Sequence, residues 1–191
     1  MDKIADFLFE VGMLSKTPRS GYQFLGSGKE SVAEHVLRTV FVGYALCKLD
    51  DSLDELRVLK MCVLHDLPEA RTGDMNYVNK KYVDVDEEKA VQELTEELFF
   101  GKEIKAAIEE FNRKETKEAL IALDADQIAL ILQLKEYGDL GNRYAEEWIN
   151  FALKRLNTET GKKLAERIIK TDSSNWWFKE KSDWWVNGNK K

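Results

Sequence analysis

SVAEHVLRTVFVGYALCKLDDSLDELRVLKMCVLHD, residues 31–66, is the stretch that decides the fold. Ser31 and Glu34 have the spacing of a capping box, so a helix starts there and places His35 in its first turn. Val36, Val40, Phe41, Tyr44 and Ala45 continue an apolar helical pattern to about Leu49. Ser52 and Glu55 repeat the capping signature, which predicts a second helix from Leu53 to His65-Asp66. So short a connection makes the two helices antiparallel neighbours. One histidine opens the first helix and the other closes the second, so topology alone puts both at the same end of the hairpin. These are the two histidines of a 191-residue chain.

The second helix runs into His65-Asp66-Leu67-Pro68-Glu69. Proline disfavours helical geometry in the residue before it, and that bend lets neighbouring imidazole and carboxylate groups turn toward one ion. Glu69 follows just past the turn, near the ion without having to bind it. Residues 67–85 read as irregular, with Asp74 at the same end of the hairpin.

Residues 2–14 read as an amphipathic helix with Ile4, Phe7, Leu8 and Val11 on one side. Residues 15–30 read as a polar, glycine-bearing loop, and a long loop in a compact domain is often functional. It carries Arg19, whose guanidinium suits a bidentate phosphate clamp; position alone favours a plain solvated arginine. Helices are expected over 86–99, with Gly101 as a breaker, then over 102–112, 115–137, 142–156 and 158–170. In the helix over 115–137, Ala119, Ala122, Asp126 and Ala129 form a stripe of small residues. A lone carboxylate on such a stripe is buried and needs a cation. Asp124 is the rival, but two residues of spacing turn it another way, and Asp126 is preferred. The tail holds Trp176-Trp177-Phe178 and Trp184-Trp185, expected to pack on the body or on a second subunit, with partner or ligand binding as the other reading.

With two prolines, an abundance of Leu, Glu, Lys and Ala, and little alternation, the chain reads as all-α, one helical domain over residues 1–191. A net charge of −6 and the lack of a basic run argue against nucleic acid as a partner. No stretch reaches membrane-spanning length, and Met1-Asp2-Lys3-Ile4 lacks the apolar run of an export signal. Cys47 and Cys62 sit in apolar helical patterns and read as buried thiols of a cytoplasmic protein.

Two imidazoles and two carboxylates make a mixed N/O ligand set suited to Mn, Fe, Co, Ni or Zn. Four protein ligands leave positions for water and substrate on an octahedral ion. A water held there is more acidic and serves as nucleophile, while the ion offsets charge on an anionic substrate. Glu69 is then placed to orient that water or pass a proton. Taken singly, His65-Asp66 reads as a helix-terminal hydrogen-bonded pair, His35 as a satisfied core histidine, Glu69 as a surface residue and Asp74 as a loop cap. Taken jointly, they read as a metal site.

His35, His65-Asp66 and the distal Asp126 resemble the HD-domain metal-dependent phosphohydrolases. Glu69, Asp74 and the upstream Arg19 sharpen this to a resemblance to the 5′-deoxynucleotidase subfamily, over residues from about 15 to 137. The resemblance implies an all-helical, commonly dimeric enzyme that removes phosphate from deoxyribonucleoside 5′-monophosphates by attack of metal-bound water. It implies His35, His65, Asp66 and Asp126 as ligands of one divalent ion. It implies Arg19 on the phosphate, Glu69 in proton transfer or water positioning, and Asp74 on the sugar or in catalysis. With both histidines so used, a second metal is not expected. The bacterial branch has tryptophan after the arginine; Ser20 stands here, which leaves ribose exclusion open, with Tyr22 or Tyr77 as substitutes. The alternatives are a triphosphohydrolase drawing on Lys16, Arg71, Lys80 and Lys81, and a metal-bound nucleotide sensor without turnover.

Overall fold

In the computed structural model, which describes residues 1–179 and 184–188, the helices follow as α1 (Asp2–Val11), α2 (Val32–Cys47), α3 (Glu55–Leu64), α4 (Glu69–Thr72), α5 (Glu87–Thr95), α6 (Gly101–Arg113), α7 (Lys117–Asp139), α8 (Arg143–Leu153) and α9 (Glu159–Ile169), with short turns of helix, α10 (Asn175–Phe178) and α11 (Trp184–Asn187), in the tail. The fold is all-α: no strand occurs among the described residues, and Pro18 and Ser31 form an isolated bridge. No described helix is long and apolar enough to cross a membrane.

The caps explain where the hairpin begins. Ser31 Oγ accepts from Glu34 N at 3.2 Å and Glu34 Oε2 accepts from Ser31 N at 2.6 Å, the reciprocal box expected at the start of α2. The second box does not form. Asp54 caps α3 by accepting from Arg57 N at 3.1 Å, and Ser52 instead donates to Asp50. An acid next to the first turn is the better cap, since it also faces the positive end of the helix dipole. α3 therefore starts at Glu55 and ends at Leu64, with His65 as its C-cap.

α7 is the central helix and packs against α2, α3, α6, α8 and α9. Ala119, Ala122, Ala125 and Ala129 are fully buried, and their small side chains let neighbouring helices approach closely. Ile128, Ile131 and Leu134 are also fully buried, each contributing about 1.5–3 kcal/mol by leaving water. At Gly43 a Cβ would stand 2.7 Å from Cys62 Sγ, so glycine is what permits α2 and α3 to meet there. Cys47 and Cys62 are buried free thiols, as the sequence predicts.

A second apolar cluster joins Leu14, Val32, Leu67, Val91, Leu94 and Ile108. Leu67 is 3 % exposed, so the segment between α3 and α4 is anchored by the residue between Asp66 and Pro68. Several boundaries differ from expectation. The 15–30 segment is partly a 3-10 helix, Ser20–Leu25, with Ser20, Tyr22 and Leu25 buried. The 67–85 segment holds α4 and a 3-10 turn, Asn79–Lys81. Gly101 stands at the junction of α5 and α6 as the first residue of α6, and a Cβ there would meet Thr95 O at 2.0 Å, so glycine is what fits. In the tail, Trp177, Phe178 and Trp185 contact one another at ring distances of 5.1–5.7 Å, and Trp176 is 87 % exposed.

Candidate active site

His35 and His65 meet as the hairpin topology requires, with ring centroids 5.9 Å apart. His35 is fully buried on the first turn of α2. His65 Nδ1 lies 3.0 Å from the carbonyl of Cys62, one turn back. That carbonyl can only accept, so Nδ1 carries a proton and Nε2 is the nitrogen able to take an ion once its own proton leaves. Nε2 of His65 is buried without a hydrogen-bond partner, as is Nδ1 of His35.

Asp126 comes from the middle of α7. Its Oδ1 is 2.8 Å from His35 Nε2 and 3.9 Å from His65 Nε2. One ligand atom each from His35, His65 and Asp126 lies within 4.8 Å of the others. Asp66 Oδ2 stands beside this group, 3.3 Å from His65 Nε2 and 3.8 Å from His35 Nε2. Lone pairs and carboxylate oxygens converge here from α2, α7 and the turn after α3. This donor set fits a divalent ion, which would relieve their mutual repulsion and occupy the unpartnered His65 Nε2.

Asp124, the rival ligand, faces away and is fully buried. It accepts from the backbone N–H of Asn157 at 2.7 Å and of Thr158 at 2.8 Å, and from Thr158 Oγ1 at 2.6 Å. Thus the buried carboxylate of α7 is Asp124, and the start of α9 supplies its donors in place of a cation. The Asp126 side chain keeps 19 % exposure, because it opens onto a cavity.

Arg19 is 16 % exposed in its side chain and is not a solvated loop arginine. Its guanidinium faces Asp66 Oδ2 at 3.4 Å, Asp74 Oδ1 at 3.6 Å and Glu30 Oε2 at 4.0 Å. Burial acts to lower its pKa, but the surrounding Asp66, Asp126 and Asp74 carboxylates outweigh that and raise it. Asp74 also holds the arginine's neighbour: its Oδ2 accepts from Ser20 N at 2.6 Å and from Ser20 Oγ at 2.9 Å. Ser20 is thus used as a strap between two loops.

Glu69 Oε2 is buried and unpartnered. Burial, then the nearby Asp66 and Asp74 charges, push its carboxyl up to about 9, so without a cation it holds a proton at neutral pH. His65 is pushed up to about 9: burial would lower it, and the Asp66 and Asp126 carboxylates prevail. Asp66 and Asp126 are both lowered, burial being overcome chiefly by the imidazoles.

Arg19, Asp66, Glu69, Asp74 and Asp126 line one cavity of about 200 Å³. Sequence reading missed Glu30, Gln127, Trp148 and Arg155. Glu30 accepts from Tyr22 OH at 2.9 Å and backs Arg19. Gln127 adjoins Asp126 and donates to its Oδ2 at 2.7 Å. Gln127, Trp148 and Arg155 line the same cavity, the last two from α8 and its end, which no spacing rule connects to residues near position 70. Tyr22 and Tyr77 both line it too.

The HD-domain family profile matches residues 11–168. The 5′-deoxynucleotidase HDDC2 of Mus musculus is 32 % identical over 143 residues, covering 72 % of this chain and 71 % of that one. The 5′-deoxynucleotidase HDDC2 of Danio rerio is 30 % identical over 196 residues, covering 91 % of this chain and 97 % of that one. A solved "conserved hypothetical protein" from Pyrococcus furiosus superposes with a TM-score of 0.76 at 28 % identity, covering 87 % of this chain and 99 % of that one. With histidines and aspartates joined at one end of a helical hairpin and these relatives spanning most of its length, the chain belongs to the HD-domain family.

Proposed function

We propose that this chain is a divalent-metal-dependent phosphomonoesterase that hydrolyses deoxyribonucleoside 5′-monophosphates to the deoxynucleoside and phosphate. The observation that carries the reading is the convergence of His35, His65 and Asp126 within 4.8 Å, beside a cavity that Asp126, Asp66 and Arg19 line. His35, His65, Asp66 and Asp126 would hold one ion, and their N/O character suits Mn, Co, Fe, Ni or Zn. When bound, such an ion supplies an acidified water and offsets phosphate charge.

The chain's own groups account for the remainder. Arg19, held cationic by its carboxylate neighbours, binds the non-bridging phosphate oxygens. Water adds to phosphorus, the bond from phosphorus to the 5′ oxygen breaks, and that oxygen takes a proton. Glu69, whose carboxyl burial raises, is the group placed to give that proton and to be reprotonated from the attacking water. Asp74 keeps Ser20 and Arg19 in position.

The triphosphohydrolase reading has less support. Of its four candidate cations, Lys80 lines the cavity, while Arg71 is engaged with Glu10 and Glu93. A pure sensor would have no use for a buried, unpartnered Glu69. We also take the protein to be a cytoplasmic homodimer without nucleic-acid or membrane partners. The buried free thiols and the charge of −6 support this, as does an outward row of Leu37, Phe41 and Tyr44 on α2. Phosphate release with Mn or Co, measured against all deoxy- and ribonucleoside monophosphates, tests the activity. Release confined to triphosphates, or none from any nucleotide, would overturn it.

A further inference from the structure

The cavity has further lining residues that the chemistry above does not use. Among them, the Arg155 guanidinium lies over the Tyr77 ring, 4.8 Å from its centroid. Arg155 NH1 donates to Gln127 Oε1 at 3.1 Å, and Gln127 Nε2 donates to Asp126 Oδ2 at 2.7 Å. Two hydrogen bonds thus tie a flat guanidinium–phenol stack to a carboxylate of the reacting end. Trp148 faces the same space, pressed against Gly21, where a Cβ would stand 2.8 Å from the indole. Tyr77, Trp148 and Arg155 also border an outer hollow of about 420 Å³ that holds Phe24 and Phe151. Tyr77 is 56 % exposed, so burial of the ring does not explain its place.

We infer that the Tyr77–Arg155 stack, faced by Trp148, is the nucleobase subsite of this enzyme. This rests on the phosphate lying at the Arg19 end, as proposed above. Aromatic rings and guanidinium planes are what a base stacks on, and every base offers a π-face. The hydrogen-bond readout has a direction. Both ends of the Gln127 amide are engaged by Asp126 and Arg155. Arg155 offers donors only. The subsite therefore favours bases that present carbonyl oxygens, guanine and thymine, over adenine, with guanine O6 and N7 matching an arginine fork best.

The measurement is kcat/KM for dGMP, dTMP and dAMP, each divided by that for deoxyribose 5-phosphate, in Mn-loaded protein. The ratio cancels differences in the fraction of active protein. In Tyr77→Ala the dGMP ratio falls about tenfold, the size expected for loss of one stacked base. Tyr77→Phe keeps the face and keeps the ratio. Arg155→Ala removes the preference for dGMP over dAMP. Titration calorimetry with deoxyguanosine, a product that is not consumed, gives a second readout, again weakened about tenfold in Tyr77→Ala. A dGMP ratio that is the same in wild type and Tyr77→Ala would sink the subsite. So would deoxynucleoside diphosphates outcompeting monophosphates in wild type but not in Arg155→Ala, since the cation would then be reading a phosphate. If neither dGMP nor deoxyribose 5-phosphate is hydrolysed, the phosphatase reading falls instead, and the deoxyguanosine titration still decides the subsite.

Discussion

Asp126 Oδ1 lies 2.8 Å from His35 Nε2, joining the middle of α7 to the first turn of α2 across 91 positions of sequence. Asp124, two residues earlier on the same helix, points the other way and closes the start of α9. The two carboxylates therefore respond oppositely to the same substitution. Asp126→Asn should lower bound metal, measured on purified protein after dialysis, with little loss of melting temperature. Asp124→Asn should keep the metal and lose about 3 kcal/mol of stability, because buried donors lose a charged acceptor. Metal loss in Asp124→Asn with none in Asp126→Asn would exchange their roles.

Without metal, pH acts on stability through the two groups raised to about 9. Both His65 and Glu69 bind a proton more tightly folded than unfolded. Their contribution is complete below the unfolded values, near 6.5 for His65 and 4.5 for Glu69, and is lost as pH rises through 9. Denaturant unfolding of EDTA-treated protein should therefore show falling stability from pH 6.5 to 9, by about 1.4 kcal/mol per pH unit for each proton released. A bound cation needs the His65 Nε2 proton gone, while Glu69 is not a ligand. The stabilisation produced by Mn should thus grow over the same interval. A metal increment that is flat or shrinking with pH would mean that His65 gives up no proton to the ion.

Glu69 Oε2 has no hydrogen-bond partner in a place where few polar atoms are left so. Glu69→Gln keeps its shape and removes its acidity. Turnover should drop by about 10² to 10⁴ while metal content is unchanged. The pH–rate profile should also lose its alkaline limb, which in the wild type reports the carboxyl giving up its proton. A variant with normal kcat at every pH would exclude Glu69 from proton transfer.

The meeting of His35 and His65 was legible because it needs only helix ends and a short connection, both of which local rules provide. The convergence of Asp126 on the two histidines was legible in direction but not in reason. The stripe argument expected a buried carboxylate seeking a cation, and the one that is buried, Asp124, is answered by Asn157 and Thr158. That partnership joins residues 33 and 34 positions apart, which no periodicity reveals. Arg155 and Trp148 were illegible for the same reason: they reach the cavity through the packing of α8 on α7. The failed box at Ser52 was a local misreading, since Asp54 competed for the same helix start and is the stronger cap.

Asp74 has two possible parts, and its contacts separate them. Its Oδ2 holds Ser20 through N and Oγ, while Oδ1 faces Arg19 at 3.6 Å. If its main work is to strap the arginine loop, Ser20→Ala should reproduce part of the defect of Asp74→Ala. Ser20→Ala removes a hydroxyl whose one proton is shared between Asp74 O at 2.8 Å and Asp74 Oδ2 at 2.9 Å, worth about 1.5–3 kcal/mol at most, and leaves the Ser20 N contact in place. KM for deoxynucleotides should then rise in both variants, more in Asp74→Ala, with kcat falling much less, because a displaced guanidinium weakens phosphate binding before it affects proton transfer. The strap would be excluded by a collapse of kcat in Asp74→Ala beside an unchanged KM in Ser20→Ala. The carboxylate would then touch the reacting substrate itself, as the resemblance to the deoxynucleotidases implied from sequence.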